Sequence, residues 1–267
     1  MNKRTGMNML SFRGALLALM ALQLSWTQAE SFTIAAAADL RFALDEVIES
    51  FLLQHPEQDV RVVYGSSGKM TTQIVHGAPY DLFFSADISF PERLHAAGLT
   101  ATDPAVYAIG RIVIWSNTLD ASMLRLEDLA TDPRIRRVAI AQPAHAPYGQ
   151  RAKEALEAIG VWDAIQPRLV FGENIAHAAQ MVESGAAQVG IIALSLALFP
   201  RLAQHPHYLI DESLHQPLTQ GFVMTRRGAG KPGVQAFADF VATDEAHAIM
   251  HRFGFVIPNA EPADDGD

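Results

Sequence analysis

Short apolar runs separated by stretches with helical spacing are the feature that most narrows what this chain can fold into. The runs are Phe32–Ala37, Val60–Tyr64, Leu82–Ser85, Arg111–Trp115, Val138–Ala141, Leu169–Phe171, Val189–Leu194 and Gly221–Thr225. After the first of them, Leu40, Ala43, Leu44, Val47, Ile48, Phe51 and Leu52 recur every three or four residues and form one apolar helix face. Regular alternation of this kind predicts an α/β protein with mostly parallel sheets.

The first 29 residues stand apart. Lys3, Arg4 and Arg13 precede the apolar stretch Gly14–Trp26, and Thr27-Gln28-Ala29 then offers small residues at the −3 and −1 positions of a cleavage site. This order predicts a secretory signal peptide over 1–29. The apolar stretch is shorter than the roughly 20 residues of a spanning helix. A mature chain from Glu30 to Asp267 is large enough to bury a core without staples. There is no cysteine, so thiolate catalysis and iron–sulfur chemistry are excluded.

Twenty Lys and Arg face 29 Asp and Glu; without the three basic residues of the first 29, 17 face 29, a net charge of −12. Such a surface excludes nucleic acid as a partner. It also repels anions at long range, so any anion site here must act through short hydrogen bonds. The closing stretch 259–267 (NAEPADDGD) is polar and acidic and is expected to be disordered.

Four junctions between a strand and a helix present features suited to a ligand. In open α/β sheets, ligands lie beyond the carboxyl ends of strands, where helix N-termini offer unpaired N–H groups. The first is Ala35-Ala36-Ala37-Ala38-Asp39-Leu40, in which Asp39 is read as the N-cap of the first helix. The second, Tyr64-Gly65-Ser66-Ser67-Gly68-Lys69, sets two hydroxyls between glycines. The third, Ala146-Pro147-Tyr148-Gly149, opens a helix and aims a phenol outward. The fourth is Gly172-Glu173-Asn174-Ile175, with Asn174 as cap and the Ile175 N–H as a free donor. Taken singly, each is equally an ordinary cap or turn. Together they offer donors that can converge on one cleft.

At these residues the chain resembles the periplasmic molybdate-binding proteins. The strings that carry the resemblance are AAAADL, the GSSGK loop, GAPYDLFFSAD at 77–87, Tyr107-Ala108-Ile109-Gly110-Arg111, Ala146-Pro147-Tyr148-Gly149 and Arg252-Phe253-Gly254-Phe255. The resemblance spans about Phe32 to Pro258. It implies a two-lobed α/β fold of the type II periplasmic-binding-protein class, each lobe a mainly parallel sheet flanked by helices. Lobe 1 is then expected over 30–109 plus 220–258 and lobe 2 over 110–219, with a first crossover near Tyr107–Gly110 and the return within 205–219. It also implies a periplasmic monomer that captures molybdate or tungstate for the permease and ATPase of an ABC importer. No cofactor and no separate metal site are implied.

Carried over residue by residue, the resemblance puts the ligand set at Ala38, Asp39, Ser67, Tyr148 and Ile175. A late strand end that supplies a Tyr in one branch of the family is Ala193 here, so the chain resembles the branch whose Tyr falls at Tyr148. Family members usually carry Ser or Asn where this chain has Asp39. Two arrangements are open for Asp39. In the favoured one it turns back to cap its helix, with its pKa lowered. In the other it faces the ligand and binds only when protonated, or joins a metal centre as a ligand. Lys69, near the cleft, is a candidate to offset its charge. Two other readings remain. The same fold can take sulfate or chromate, or a hard cation through Asp39, Tyr148, Ser67 and Glu173. An enzyme is disfavoured: there is no HExxH, GxSxG or phosphate-loop motif, and His247 and His251 lack the metalloprotease Glu.

Overall fold

The computed structural model describes residues 30–258; the expected signal segment and acidic tail lie outside the described residues. The strands are β1 (Glu30–Ala37), β2 (Gln58–Gly65), β3 (Leu82–Ser85), β4 (Ala105–Gly110), β5 (Ile112–Trp115), β6 (Val138–Ala141), β7 (Leu169–Gly172), β8 (Val189–Ala193), β9 (His207–Leu209) and β10 (Leu218–Met224). The helices are α1 (Arg41–Gln54), α2 (Ser67–Val75), α3 (Ser89–Ala96), α4 (Asp128–Thr131), α5 (Pro147–Ala158), α6 (Trp162–Ile165), α7 (Ile175–Glu183), α8 (Leu194–Ala197), α9 (Pro232–Val241) and α10 (Asp244–Arg252).

They form two sheets of five strands, ordered β2-β1-β3-β10-β4 and β7-β6-β8-β5-β9. In the first, β1 pairs in parallel with β2 and β3, and β10 is antiparallel to β3 and β4. In the second, β6 pairs in parallel with β7 and β8, and β5 is antiparallel to β8 and β9. Each sheet therefore has four strands running one way and one reversed. The reversed strands, β5 and β10, are the ones that follow each passage of the chain between lobes.

Period-two alternation explains how the first sheet is covered on both faces. Ile34, Ala36, Leu82 and Phe84 point to one side, into a core completed by Leu44, Phe51 and Phe237 from α1 and α9. Ala35, Phe83 and Val223 point to the other, against Met70 and Ile74 of α2 and Leu94 of α3. In the second sheet β5, β6 and β8 are buried along their whole length, as continuous apolar strands between helix layers should be.

Two segments differ from their sequence reading. Tyr107–Gly110 was expected to be a connection but is the end of β4; only Arg111 separates β4 from β5. The ladder continues through the crossover because Leu218 pairs with Gly110. The expected return segment likewise contains β9, and β10 begins at Leu218 rather than 220. Asp81, inside the GAPYDLFFSAD string, is a buried brace: it accepts from the Thr33 N–H at 2.8 Å and from Lys231 Nζ at 2.9 Å.

Candidate ligand-binding site

All four junctions meet between the lobes. Ala38, Asp39, Ser67, Tyr148 and Ile175 line one small, tightly closed pocket, with a cavity volume of about 10 Å³. Ala37, Gly65, Ser66, Ala86, Ala146 and Pro147 complete its wall. No Lys or Arg lies in that lining, and Asp39 is its only carboxylate.

Ser67 opens α2 and is fully buried. Its Oγ accepts the Ala86 N–H at 3.0 Å, which fixes the rotamer and leaves the hydroxyl hydrogen available for a ligand. Asn174 caps α7 as its sequence position predicts, accepting from the His177 N–H at 2.9 Å. Ile175 is the first residue of α7, where an N–H has no intrahelical partner. Pro147 occupies the first turn of α5 and sets Tyr148 facing the opposite lobe.

Asp39 is not a cap. It lies inside a 3-10 turn, Ala38–Leu40, and neither that turn nor α1 has a side-chain cap bond. Its Oδ2 accepts from the Tyr148 hydroxyl at 3.0 Å and from Gln220 Nε2 at 2.8 Å. Its Oδ1 is buried with no hydrogen-bond partner. The expected lowering of its pKa is also reversed: burial pushes it from 3.8 up to about 6, offset in part by the bonds from Gln220 and Tyr148. The N–H groups of Asp39 and Leu40 pull the same way but make no hydrogen bond to Oδ1. Lys69 does not offset the charge; it pairs at 2.5 Å with Glu173, which is 61% exposed and absent from the pocket lining.

Gln220 and Tyr107 were missed by sequence reasoning. Gln220 Nε2 also donates to the Tyr148 oxygen at 2.9 Å, and Tyr107 donates to Gln220 Oε1. A register shift between Gln220 and Gly221 bends β10 at this point, the usual device for re-aiming a side chain. The available signal was a lone amide in the apolar run Leu218–Met224. Tyr148 and Tyr107 both have their hydroxyl pKa pushed well above the ordinary value, first by burial and then by the charge of Asp39, so both stay protonated. Since the Tyr148 proton goes to Asp39, the phenol does not stand free for a ligand while Asp39 is ionised.

Further contacts join the lobes around the pocket. Ser195 Oγ of α8 donates to the Asp39 carbonyl at 2.8 Å, and the Gly68 N–H donates to the His145 carbonyl at 3.0 Å. Arg151 of α5 binds Asp87 at 2.9 Å, and Phe42 stacks on Phe199. Among the described residues, no three His, Asp or Glu side chains gather to hold a metal ion. No helix among them is long and apolar enough to cross a membrane.

Two α/β lobes joined by two crossovers, with a buried pocket of helix starts between them, define a two-lobed solute-binding protein. The sequence profile of the bacterial extracellular solute-binding proteins matches residues 32–256, and the chain belongs to that family. It is 34% identical to the molybdate-binding protein ModA of Rhodobacter capsulatus over 202 residues, 74% of this chain and 77% of that one. It is 30% identical to ModA of Azotobacter vinelandii over 237 residues, 85% and 90% of the two chains. The solved Azotobacter vinelandii periplasmic molybdate-binding protein superposes with a TM-score of 0.79, covering 85% of this chain and 99% of that one at 30% identity. The sulfate-binding protein SubI of Mycobacterium tuberculosis shares the fold, with a TM-score of 0.70 at 16% identity over 86% and 88% of the chains.

Proposed function

We propose that this protein captures molybdate or tungstate in the interlobe pocket, in the periplasm, and delivers it to the permease and ATPase subunits of an ABC importer. The observation that carries the reading is the convergence of Ser67, Tyr148, Ile175, Ala38 and Asp39 on one pocket without a cationic side chain. A hydroxyl with its hydrogen unspent and the N–H groups of Ser67 and Ile175, the first residues of α2 and α7, are short-range, fixed donors. Such donors suit an oxyanion stripped of water, and they agree with the net negative charge of the chain. The relatives named for molybdate support the choice of ligand. The anion is bound directly as cargo by a monomer, with no resident cofactor, and the protein carries out no catalysis. Export runs through the 1–29 segment, and the intact mass of the exported protein is expected to correspond to a chain beginning at Glu30.

Calorimetry against molybdate, tungstate, sulfate, phosphate and ferric iron tests the ligand. Molybdate and tungstate are expected to bind with similar strength and the others far more weakly, because a rigid donor ring fits one oxyanion size. Sulfate or ferric iron binding as tightly as molybdate would overturn the reading. Ser67→Ala is expected to weaken molybdate binding by about 1.5–3 kcal/mol, the range for a hydrogen bond to a charged group. An unchanged affinity would put the anion elsewhere.

A further inference from the structure

Asp39 poses a problem that the oxyanion reading does not solve by itself. An ionised carboxylate only accepts hydrogen bonds, and so does an oxyanion dianion. In a dry pocket the two repel. The local geometry offers a specific way out. Oδ2 is saturated by Tyr148 and Gln220, whereas Oδ1 is buried and unpartnered in a side chain that lines the pocket. A proton on Oδ1 turns this unpartnered acceptor into a donor and leaves both bonds to Oδ2 intact.

We propose that Asp39 binds ligand as the carboxylic acid, so that each oxyanion dianion enters with one proton, which rests on Asp39 Oδ1 and is donated in a hydrogen bond to a ligand oxygen. The proposal rests on the oxyanion reading above. The proton comes from solvent, and no other bond forms or breaks. The pocket groups meet the oxygens of the anion, not its metal.

Hydrogen bonds from Gln220 and Tyr148 favour the ionised carboxylate, but burial outweighs them, and no charged group counters a bound dianion. Tyr148 of α5, Tyr107 of β4, Gln220 of β10 and Ser195 of α8 all face this residue, and all are neutral. Among the described residues no cation pairs with it. Lys69 binds Glu173, Arg151 binds Asp87 and Glu154, and Arg41 lies over the Tyr64 ring. His145, the titratable group at the pocket mouth, is engaged with Ser66 at 2.9 Å, and burial lowers its pKa. Burial, net of the hydrogen bonds that oppose it, already raises Asp39 to about 6, and the charge of a bound dianion raises it further.

Calorimetry of molybdate binding in paired buffers of different ionisation enthalpy counts the protons. At pH 7.5 the parent protein is expected to take up close to one proton per molybdate. With a free-state pKa of about 6, its affinity is expected to fall about 50-fold between pH 6 and pH 8, while the bound acid stays protonated. Asp39→Asn keeps an acceptor for Tyr148 and Gln220 and offers an amide donor in place of the acid. It is expected to bind with almost no proton uptake and with nearly flat affinity over that range. Parent binding without proton uptake overturns the proposal and leaves the oxyanion reading standing. So does an Asp39→Asn protein that takes up the same proton, since the proton would then sit elsewhere. Absence of heat with molybdate and tungstate at pH 6 overturns both.

Discussion

Asp39→Asn is expected to raise the melting temperature of the ligand-free protein at pH 7.5, with a gain that shrinks as the pH is lowered from 6 toward 4. The folded pKa of Asp39, about 6, lies above its ordinary value of 3.8. The folded chain therefore holds more protons than the unfolded chain between those values, and stability is lost as pH rises through that window. Above pH 6 the whole penalty is in force. A difference of this size corresponds to about 3 kcal/mol, or about 6–12 °C in melting temperature for a protein of this length. An amide of the same shape carries no such charge. Thermal melts of both proteins at pH 4.5, 6 and 7.5 decide the matter. An equal difference at every pH, or a less stable variant at pH 7.5, would mean that Asp39 bears no burial penalty.

That penalty shows where local reading of the sequence stops. An Asp at the start of a helix is a cap by every short-range rule, and α7 obeys the rule through Asn174. Asp39 departs from it because one 3-10 turn moves it inside the helix start and because Tyr148, 109 residues away, arrives from the other lobe. Burial by a distant surface overrides the local preference and reverses the pKa. The strands and helix faces were legible because their periodicity is local, as Ile34, Ala35 and Ala36 show on either side of β1. The pocket's five expected residues were legible at second hand, from strings shared with a family. Gln220 was not, since its bond to Asp39 spans 181 positions. Nor was β4, whose end is at once a strand and the crossover.

Gly110 is the remaining residue whose role only the assembled structure reveals, and Gly110→Ala is expected to weaken molybdate binding by about 2–4 kcal/mol, or roughly 30- to 1000-fold. Its position ends β4 at the hinge. A Cβ there would stand 2.3 Å from the Tyr148 hydroxyl and 2.6 Å from Gln220 Nε2, both closer than carbon approaches such atoms. Those atoms are the two that hold Asp39 Oδ2. Relief requires Tyr148, which belongs to the opposite lobe, to withdraw; the added methyl thus acts mainly against the closed pocket. Gln220 lies in the same lobe as Gly110, so part of the cost falls on the ligand-free protein. The Tyr148 clash is specific to the closed pocket, and the melting temperature is expected to fall more for the ligand-bound protein than for the ligand-free one. Tyr148→Phe removes the nearest clashing atom along with its bond to Asp39. The two substitutions share one contact, and their combined loss is expected to be clearly smaller than the sum of the single losses. Additive losses would mean that the Gly110 methyl acts through some path other than the Tyr148 hydroxyl, and an unchanged affinity for Gly110→Ala would show that the network around Asp39 is not part of the binding site.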